Sequence, residues 1–320
     1  MGYLGIMEHF AVDAMKGSTR QLSPRWLAAV LFACSAFGLC GPAPAAAADG
    51  EPAAALRARY AAMAGKHATS QFQRPLYLDS TETSNAVRGD VFALLDHPFA
   101  EVNSVFNGPA RWCDVLILHI NTKFCAATTN PAGTVLTINI GKQTEEPLAH
   151  TSRVELDYRV VAATPDYLAV ELRADQGPLS TTNYRILFEA TVEGGKTIVH
   201  FAYSYAFGAT GRVAMQVYLA TVGRGKVGFT VTGTQSDGRP DYIGGVRGVV
   251  ERNTMRYFLA IDSYLGAQSA PPAERLDKRL QKWYDATESY ARQLHDVERN
   301  AYLEMKRREY RRQQAAGPQG

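Results

Sequence analysis

The chain has 320 residues, a formal net charge of +3, and hydrophobic and aromatic contents of 46% and 10%. So mild a charge gives no reason to expect a nucleic-acid partner, and the apolar content suits a globular protein with a sizeable core. Residues 1–48 stand outside the fold. Lys16, Arg20 and Arg25 precede an apolar run over 26–39, and Gly41-Pro-Ala-Pro-Ala-Ala-Ala-Ala48 follows before Asp49. This is the n-region, h-region and small-residue cleavage site of a signal peptide, with Met15 a candidate true start. The run is too short and too alanine-rich for a firm membrane span, which needs about 20 apolar residues. Cleavage near Ala48 makes the expected mature chain secreted, in the periplasm. Lipid attachment at Cys34 or Cys40 is the rival outcome, with Phe32 and Leu39 poor neighbours for it.

Residues 53–63 are alanine-rich and predict a helix with Leu56, Tyr60 and Met63 on one side. Strands are expected over 72–79 and 91–95. After the turn-former Asp96, His97-Pro98 opens a helix, because proline suits a first turn where its missing N–H has no partner anyway. Phe99, Val102 and Phe106 share one face of it. Asn107-Gly108-Pro109 ends that helix and starts a second, on which Trp112 and Leu116 share a face. Strand-like segments around 124–128 and 134–140 flank Asn130-Pro-Ala-Gly133, a hairpin turn.

Four segments then alternate with period two, the mark of a sheet with two unlike faces. Val154, Leu156, Tyr158 and Val160 oppose Glu155, Asp157 and Arg159; Leu168, Val170 and Leu172 oppose Glu171 and Arg173; Tyr184, Ile186, Phe188 and Ala190 oppose Arg185 and Glu189. In the last, Val199, Phe201, Tyr203, Tyr205 and Phe207 fall on one face, with His200 on the other. Residues 213–222 read as a short helix or a strand, 226–232 as a strand, and 233–244 as a polar loop. Residues 246–265 form a long helix whose apolar stripe, Val246, Val250, Tyr257, Ile261 and Tyr264-Leu265, is suited to packing on the aromatic sheet face.

The strand and helical pair over 89–118 resemble the opening of the START-like, helix-grip (SRPBCC) superfamily, and 246–265 resembles its long closing helix. The resemblance spans residues 52–267 and rests on element order. It implies an α+β helix-grip fold, a curved antiparallel sheet wrapped on a long C-terminal helix, with an internal cavity for a hydrophobic ligand, a lipid among the candidates. The residues placed on that cavity are Phe92, Leu94, Val199, Phe201, Tyr203, Tyr205, Tyr257 and Ile261. Read from the residues alone, the aromatic stripe is either filled core or a pocket lining with tyrosine hydroxyls as polar handles. Arg252 and Arg256, four apart on the long helix, are set to meet a lipid head group or else Glu155, Asp157 or Glu189 as ion-pair partners.

Gly223-Arg-Gly-Lys-Val-Gly228 matches a dinucleotide fingerprint in spacing only, since a strand rather than a helix is expected after it. No zinc-protease, serine-hydrolase, thioredoxin-like or phosphate-loop pattern is present. His67, His97, His119, His150, His200 and His295 are scattered, so neither a metal nor a cofactor is expected. Residues 268–320 form a charged helical extension in which Leu276, Leu280, Trp283, Thr287, Tyr290, Leu294, Val297 and Ala301 make a heptad seam, read as a coiled-coil contact or a helix folded back on the domain. Its basic end, Arg299, Lys306, Arg307, Arg308, Arg311 and Arg312, is a solvated helix end or a face for an anionic membrane surface; a protein partner is the other candidate.

The leading expectation is a carrier or binder of a hydrophobic small molecule. The alternatives are a helix-grip enzyme of cyclase or hydrolase type, with Asp96, His97, His119 and Glu251 as scattered acids and bases, and an interaction protein with a filled core that works through its C-terminal helix. Cys113 and Cys125, the only cysteines left after signal removal, are expected to form a disulfide. A continuous strand would hold them roughly 40 Å apart, so a bridge requires the helical reading of 111–119.

Overall fold

The computed structural model describes residues 51–68, 71–72, 74–221 and 223–316; the expected signal peptide, with Cys34 and Cys40, lies outside them. Two N-terminal helices, α1 (Glu51–Ala61) and α2 (Ala64–Ala68), precede the sheet. Its strands are β1 (Leu76–Glu82), β2 (Ala86–Leu95), β3 (Thr122–Asn130), β4 (Gly133–Ile140), β5 (Ser152–Ala163), β6 (Tyr167–Gln176), β7 (Thr181–Glu193) and β8 (Lys196–Phe207). They lie in the order β1-β2-β8-β7-β6-β5-β4-β3, with every neighbouring pair antiparallel.

Helices α3 (Phe99–Phe106) and α4 (Pro109–Leu116) carry the chain from β2 to the far edge at β3, and successive antiparallel strands return it to β8 beside β2. Pro98 stands extended before α3, and Gly108 stands extended before Pro109 at the start of α4, so the proline-glycine corner acts as its chemistry requires. After β8 come α5 (Ala209–Ala220), a small hairpin of β9 (Val231–Thr234) and β10 (Pro240–Tyr242), and the long helix α6 (Gly245–Leu265). This is an α+β helix-grip fold, sheet wrapped on helix. Where α6 crosses β2, a Cβ on Gly89 would sit 2.3 Å from Thr254 Oγ1; only glycine lets helix and strand approach so closely.

One expectation for the region after β8 needs correction. Of the two alternatives for 213–222, helix holds through Ala220, but the strand expected over 226–232 begins only at Val231. Residues 228–230 instead hydrogen-bond to α6 and to Ile243. The Phe229 and Thr230 N–H groups donate to Glu251 Oε2 at 2.6 and 2.9 Å, Thr230 Oγ1 donates to Oε1 at 2.7 Å, and Ser80 Oγ donates to the same oxygen at 2.6 Å. Those backbone donors therefore have no need of a strand partner.

The heptad seam is not one helix. It breaks into α7 (Arg275–Glu288), the single turn α8 (Ala291–Leu294) and α9 (Arg299–Ala315). Leu280, Trp283, Thr287 and Leu294 are buried, and the Trp283 indole N–H donates to the Arg256 carbonyl at 3.1 Å, so the seam faces α6 of the same chain. Helix α9 lies along β3. Tyr302 O–H donates to the Leu118 carbonyl at 2.8 Å, and Arg312 donates to the Lys123 carbonyl at 2.7 Å. The Cys125 N–H donates to Gln313 Oε1 at 3.1 Å. Fully buried Lys306 donates to the carbonyls of His119 and Thr122 and to Glu309. Burial lowers the Lys306 ammonium to about 8 against the pull of Glu309.

The basic end is consequently engaged in the fold: Arg299 pairs with Asp285, Arg307 with Asp277 and Arg308 with Glu145. Cys113 of α4 and Cys125 of β3 form the expected disulfide with Cα atoms 5.1 Å apart.

Peptide mapping under non-reducing conditions should recover the Cys113–Cys125 bridge within one chain, and replacing both cysteines by serine should cost roughly 3 kcal/mol, as for closure of a short loop. Two free thiols would disprove the bridge. Lys306→Ala leaves two carbonyls without their buried donor and leaves Glu309 with Lys123, 3.1 Å away, as its buried cation, and should lower stability by about 1–3 kcal/mol in urea denaturation; an unchanged midpoint would mean that α9 does not dock as described.

Candidate functional site

Period-two alternation on β8 sends Val199, Phe201, Tyr203 and Tyr205 to the concave face, where they meet Tyr257 and Ile261 of α6 in the main core. The rings form a continuous column. His119 stacks on Tyr257 at 4.5 Å, Tyr257 lies 6.0 Å from Phe201 and 5.5 Å from Tyr203, Tyr203 lies 5.7 Å from Tyr205, and Tyr205 stacks on Tyr184 at 5.3 Å. At these positions side chains pack directly on one another. Burial pushes the hydroxyls of Tyr203, Tyr205 and Tyr257 above the ordinary phenol value, so they are neutral donors at physiological pH. The Tyr205 hydroxyl is buried and has no hydrogen-bond partner. His119 Nδ1 accepts from the Asn121 N–H at 3.2 Å. Burial, with Arg256, Lys306 and Lys123 nearby, holds its imidazole well below the usual range, which keeps the ring neutral.

Phe92 and Leu94 do not join this group. Register pairs Phe92 with His200 and Val91 with Phe201, so Val91, Ala93 and Leu95 face the core, while Phe92 and Leu94 face the convex side with Ala53, Leu56, Tyr167, Ala169 and Ile198. Over 91–95, the part expected as strand, both faces of β2 are apolar because helix α1 covers the second one, and such a run gives no parity from which to choose a face; the charged Arg88 and Asp90 that mark the convex face precede it.

The two arginines are also placed differently from the head-group expectation. Arg252 and Arg256 are 2% and 3% exposed, and Arg256 pairs with Asp296 of the extension at 2.6 Å rather than with any sheet carboxylate. Arg252 donates to the Val227 carbonyl at 3.2 Å. Nor do the candidate acids and bases converge. Asp96 pairs with Lys196 at the surface, His97 with Glu101, Glu251 is taken up by Ser80 and the 229–230 loop, and His119 lies in the aromatic column.

A charged cluster that the sequence did not indicate occupies the convex face. The His200 ring hydrogen-bonds through Nδ1 with Glu189 Oε2 at 2.6 Å and through Nε2 with Asp90 Oδ1 at 2.7 Å, with Phe92 stacked on it at 4.2 Å. Arg59 of α1 pairs with Glu189, Arg88 pairs with Asp90, and Tyr167 O–H donates to Glu189 at 2.6 Å. Burial would raise the Glu189 carboxyl, but the hydrogen bonds from His200, Tyr167 and Arg59 outweigh it and bring it down to about 2. Asp90 is likewise held below its usual value, burial being outweighed by His200 and Arg88. Alternation puts these residues on one face, but only the register of three strands brings them together.

No protein-family model and no curated protein matches the chain. Solved structures match it at low similarity. Ara h 8.0201 is 10% identical over 60% of this chain and 99% of its own, with a TM-score of 0.34. Truncated norcoclaurine synthase from Thalictrum flavum is 11% identical over 43% and 84%, at 0.30. The Zhui aromatase/cyclase from Streptomyces sp. R1128 is 12% identical over 46% and 86%, at 0.30. All three are helix-grip folds. At such scores the likeness adds nothing to the strand order and closing helix seen in this chain itself.

Glu189→Gln takes a charge from a cluster in which Arg59 and His200 both face it, and should cost about 3 kcal/mol in urea denaturation at neutral pH. Because the folded carboxyl titrates below its unfolded value of 4.5, its contribution is complete above that pH and lost as pH falls toward about 2. The difference between wild type and variant should therefore shrink on acidification; a difference that grows would contradict the assignment.

Proposed function

We propose that this chain is a secreted, periplasmic helix-grip protein that binds a hydrophobic ligand with one polar group between the sheet and α6, a lipid being one such molecule. The observation that carries this reading is the Tyr205 hydroxyl, buried without a partner within an aromatic column, between Tyr203 and Tyr184. An unmatched buried hydroxyl costs about 1–3 kcal/mol, a cost that a ligand's polar group at that position removes. Ligand uptake requires the rings to part, and the cover nearest them is weakly held. Helix α5 buries only Gly211 and Met215 and leaves Val213 and Val217 59% and 44% exposed. It rests against Leu179 and Ser180, whose φ values of 58° and 56° are unusual for such residues, a kind of strain that clusters at ligand clamps.

Native mass spectrometry of the protein from its host should reveal a bound hydrophobic molecule. Tyr205→Phe removes only the unmatched hydroxyl, so it should lower ligand retention while leaving the melting temperature equal or higher. Tyr203→Ala should change uptake more than folding. No bound molecule in wild type, together with a loss of about 3–5 kcal/mol in Tyr203→Ala and no effect of Tyr205→Phe, would identify the column as filled core. N-terminal sequencing that begins near Asp49 in periplasmic protein would support secretion, and an intact N-terminus would oppose it.

A further inference from the structure

A second cavity lies apart from the aromatic column, where the C-terminal extension meets the domain. It has a volume of about 540 Å³, within the size range of small-molecule sites. Phe72, Phe229 and Tyr290 line it, with ring centroids 5.5, 5.6 and 5.7 Å apart and steeply inclined planes. Tyr290 comes from the turn that breaks the heptad seam, between α7 and α8, and its O–H donates to the Phe72 carbonyl at 3.3 Å. The wall is fixed before any ligand arrives. Gln71 Nε2 donates to the Phe229 carbonyl at 2.6 Å, and the Phe229 N–H donates to Glu251.

The charge of the lining has one sign. Arg74 and Arg292 both line the cavity, and among the described residues no carboxylate does. Arg74 is balanced from outside the lining by Asp262 at 2.9 Å and keeps 30% of its side chain exposed. Arg292 donates to the Gly225 carbonyl at 3.2 Å and, among the described residues, forms no ion pair. Rings for stacking and guanidinium groups for an anion in a rigid recess suit one kind of molecule.

We propose that this junction is a binding site for an aromatic anion, an aryl carboxylate or sulfonate of about two or three rings, with Arg292 as its charge partner and the partly exposed Tyr290 ring, backed by buried Phe229 and Phe72, as its stacking surface. The site needs both parts of the chain, since Arg74 and Phe229 belong to the domain and Tyr290 and Arg292 to the extension.

Isothermal titration of the purified protein with 8-anilinonaphthalene-1-sulfonate tests it. Arg292 is exposed, so Arg292→Glu should fold normally, and it should weaken binding by about tenfold or more, as expected for loss of a charge-assisted contact. Arg311→Glu, an equally superficial change on α9, should leave affinity unchanged. The proposal is overturned if wild type binds no probe, if Arg292→Glu binds as wild type does, or if both charge reversals weaken binding equally. A loss confined to Tyr203→Ala would put the probe in the sheet–helix interior and refute the junction site while leaving the proposed function standing.

Discussion

Helix α6 is enclosed by the concave sheet along one flank and by the extension along the other, so groups that would face water on an ordinary closing helix must find partners inside the protein. Glu251 is 0% exposed and takes four hydrogen bonds from Ser80, Phe229 and Thr230. Arg256 meets Asp296, which also takes Lys226 at 2.5 Å and the Gln143 amide at 2.6 Å. A buried charge without such partners would cost several kcal/mol. The loop before β9 and the turn before α9 are thus held in place by the charges that α6 carries. The helix organises its surroundings twice, through its apolar side against the sheet and through its polar side against the loops.

The same logic governs the sheet's far edge. A strand such as β3, with one side unpaired, is a template for pairing with another chain, and here α9 covers it with side-chain groups. Gln313 accepts from the Cys125 N–H, while Arg312 and Lys306 donate to carbonyls of Lys123 and Thr122. The disulfide at Cys125 ties that edge to α4, and Arg279 of α7 stacks over Tyr264 at 3.9 Å from the ring centroid beside Asp114 of α4. The extension is therefore integral to the packing of the domain, and its arginines and lysines are largely committed to it.

How much of this was legible in the sequence depended on whether neighbours in space were neighbours in pattern. Alternation identified the core face of β5 to β8, because those strands show unlike residues on their two sides. The proline-glycine corner marked α3 and α4, and two remaining cysteines predicted their own bridge. Phe92 and Leu94 were misplaced because α1 covers an apolar second face at that end of β2, and Arg88 and Asp90, whose charges mark that face, lie before the 91–95 run. The seam of 276–301 suggested one long helix because its periodicity continues through Ser289 and Tyr290, yet the chain turns there and a 3.5-residue repeat carries no mark of that turn. Asp90, Glu189 and His200 lie on three strands, and their cluster becomes visible only once β2-β8-β7 is known to be the spatial order.

The buried polar groups of the three regions differ in how far their bonding capacity is used. On the convex face, His200, Asp90, Glu189, Arg59 and Arg88 satisfy one another with both signs of charge in contact, which is the signature of an element held in place, here α1 on the sheet. Behind α6, Glu251 is likewise matched within the chain, and Arg256 pairs with Asp296, although its Nε has no partner. A group whose bonding capacity is already used by its neighbours has little left to offer a ligand, since recognition would require an existing partner to be displaced at similar cost. The Tyr205 hydroxyl and His119 Nε2 differ in that each has bonding capacity that nothing in its surroundings uses, within a column of rings that offers contact area at low entropic cost. Arg256, Arg279, Arg312 and Glu309 also keep one unmatched atom each, but their side chains are committed to other partners in the fold.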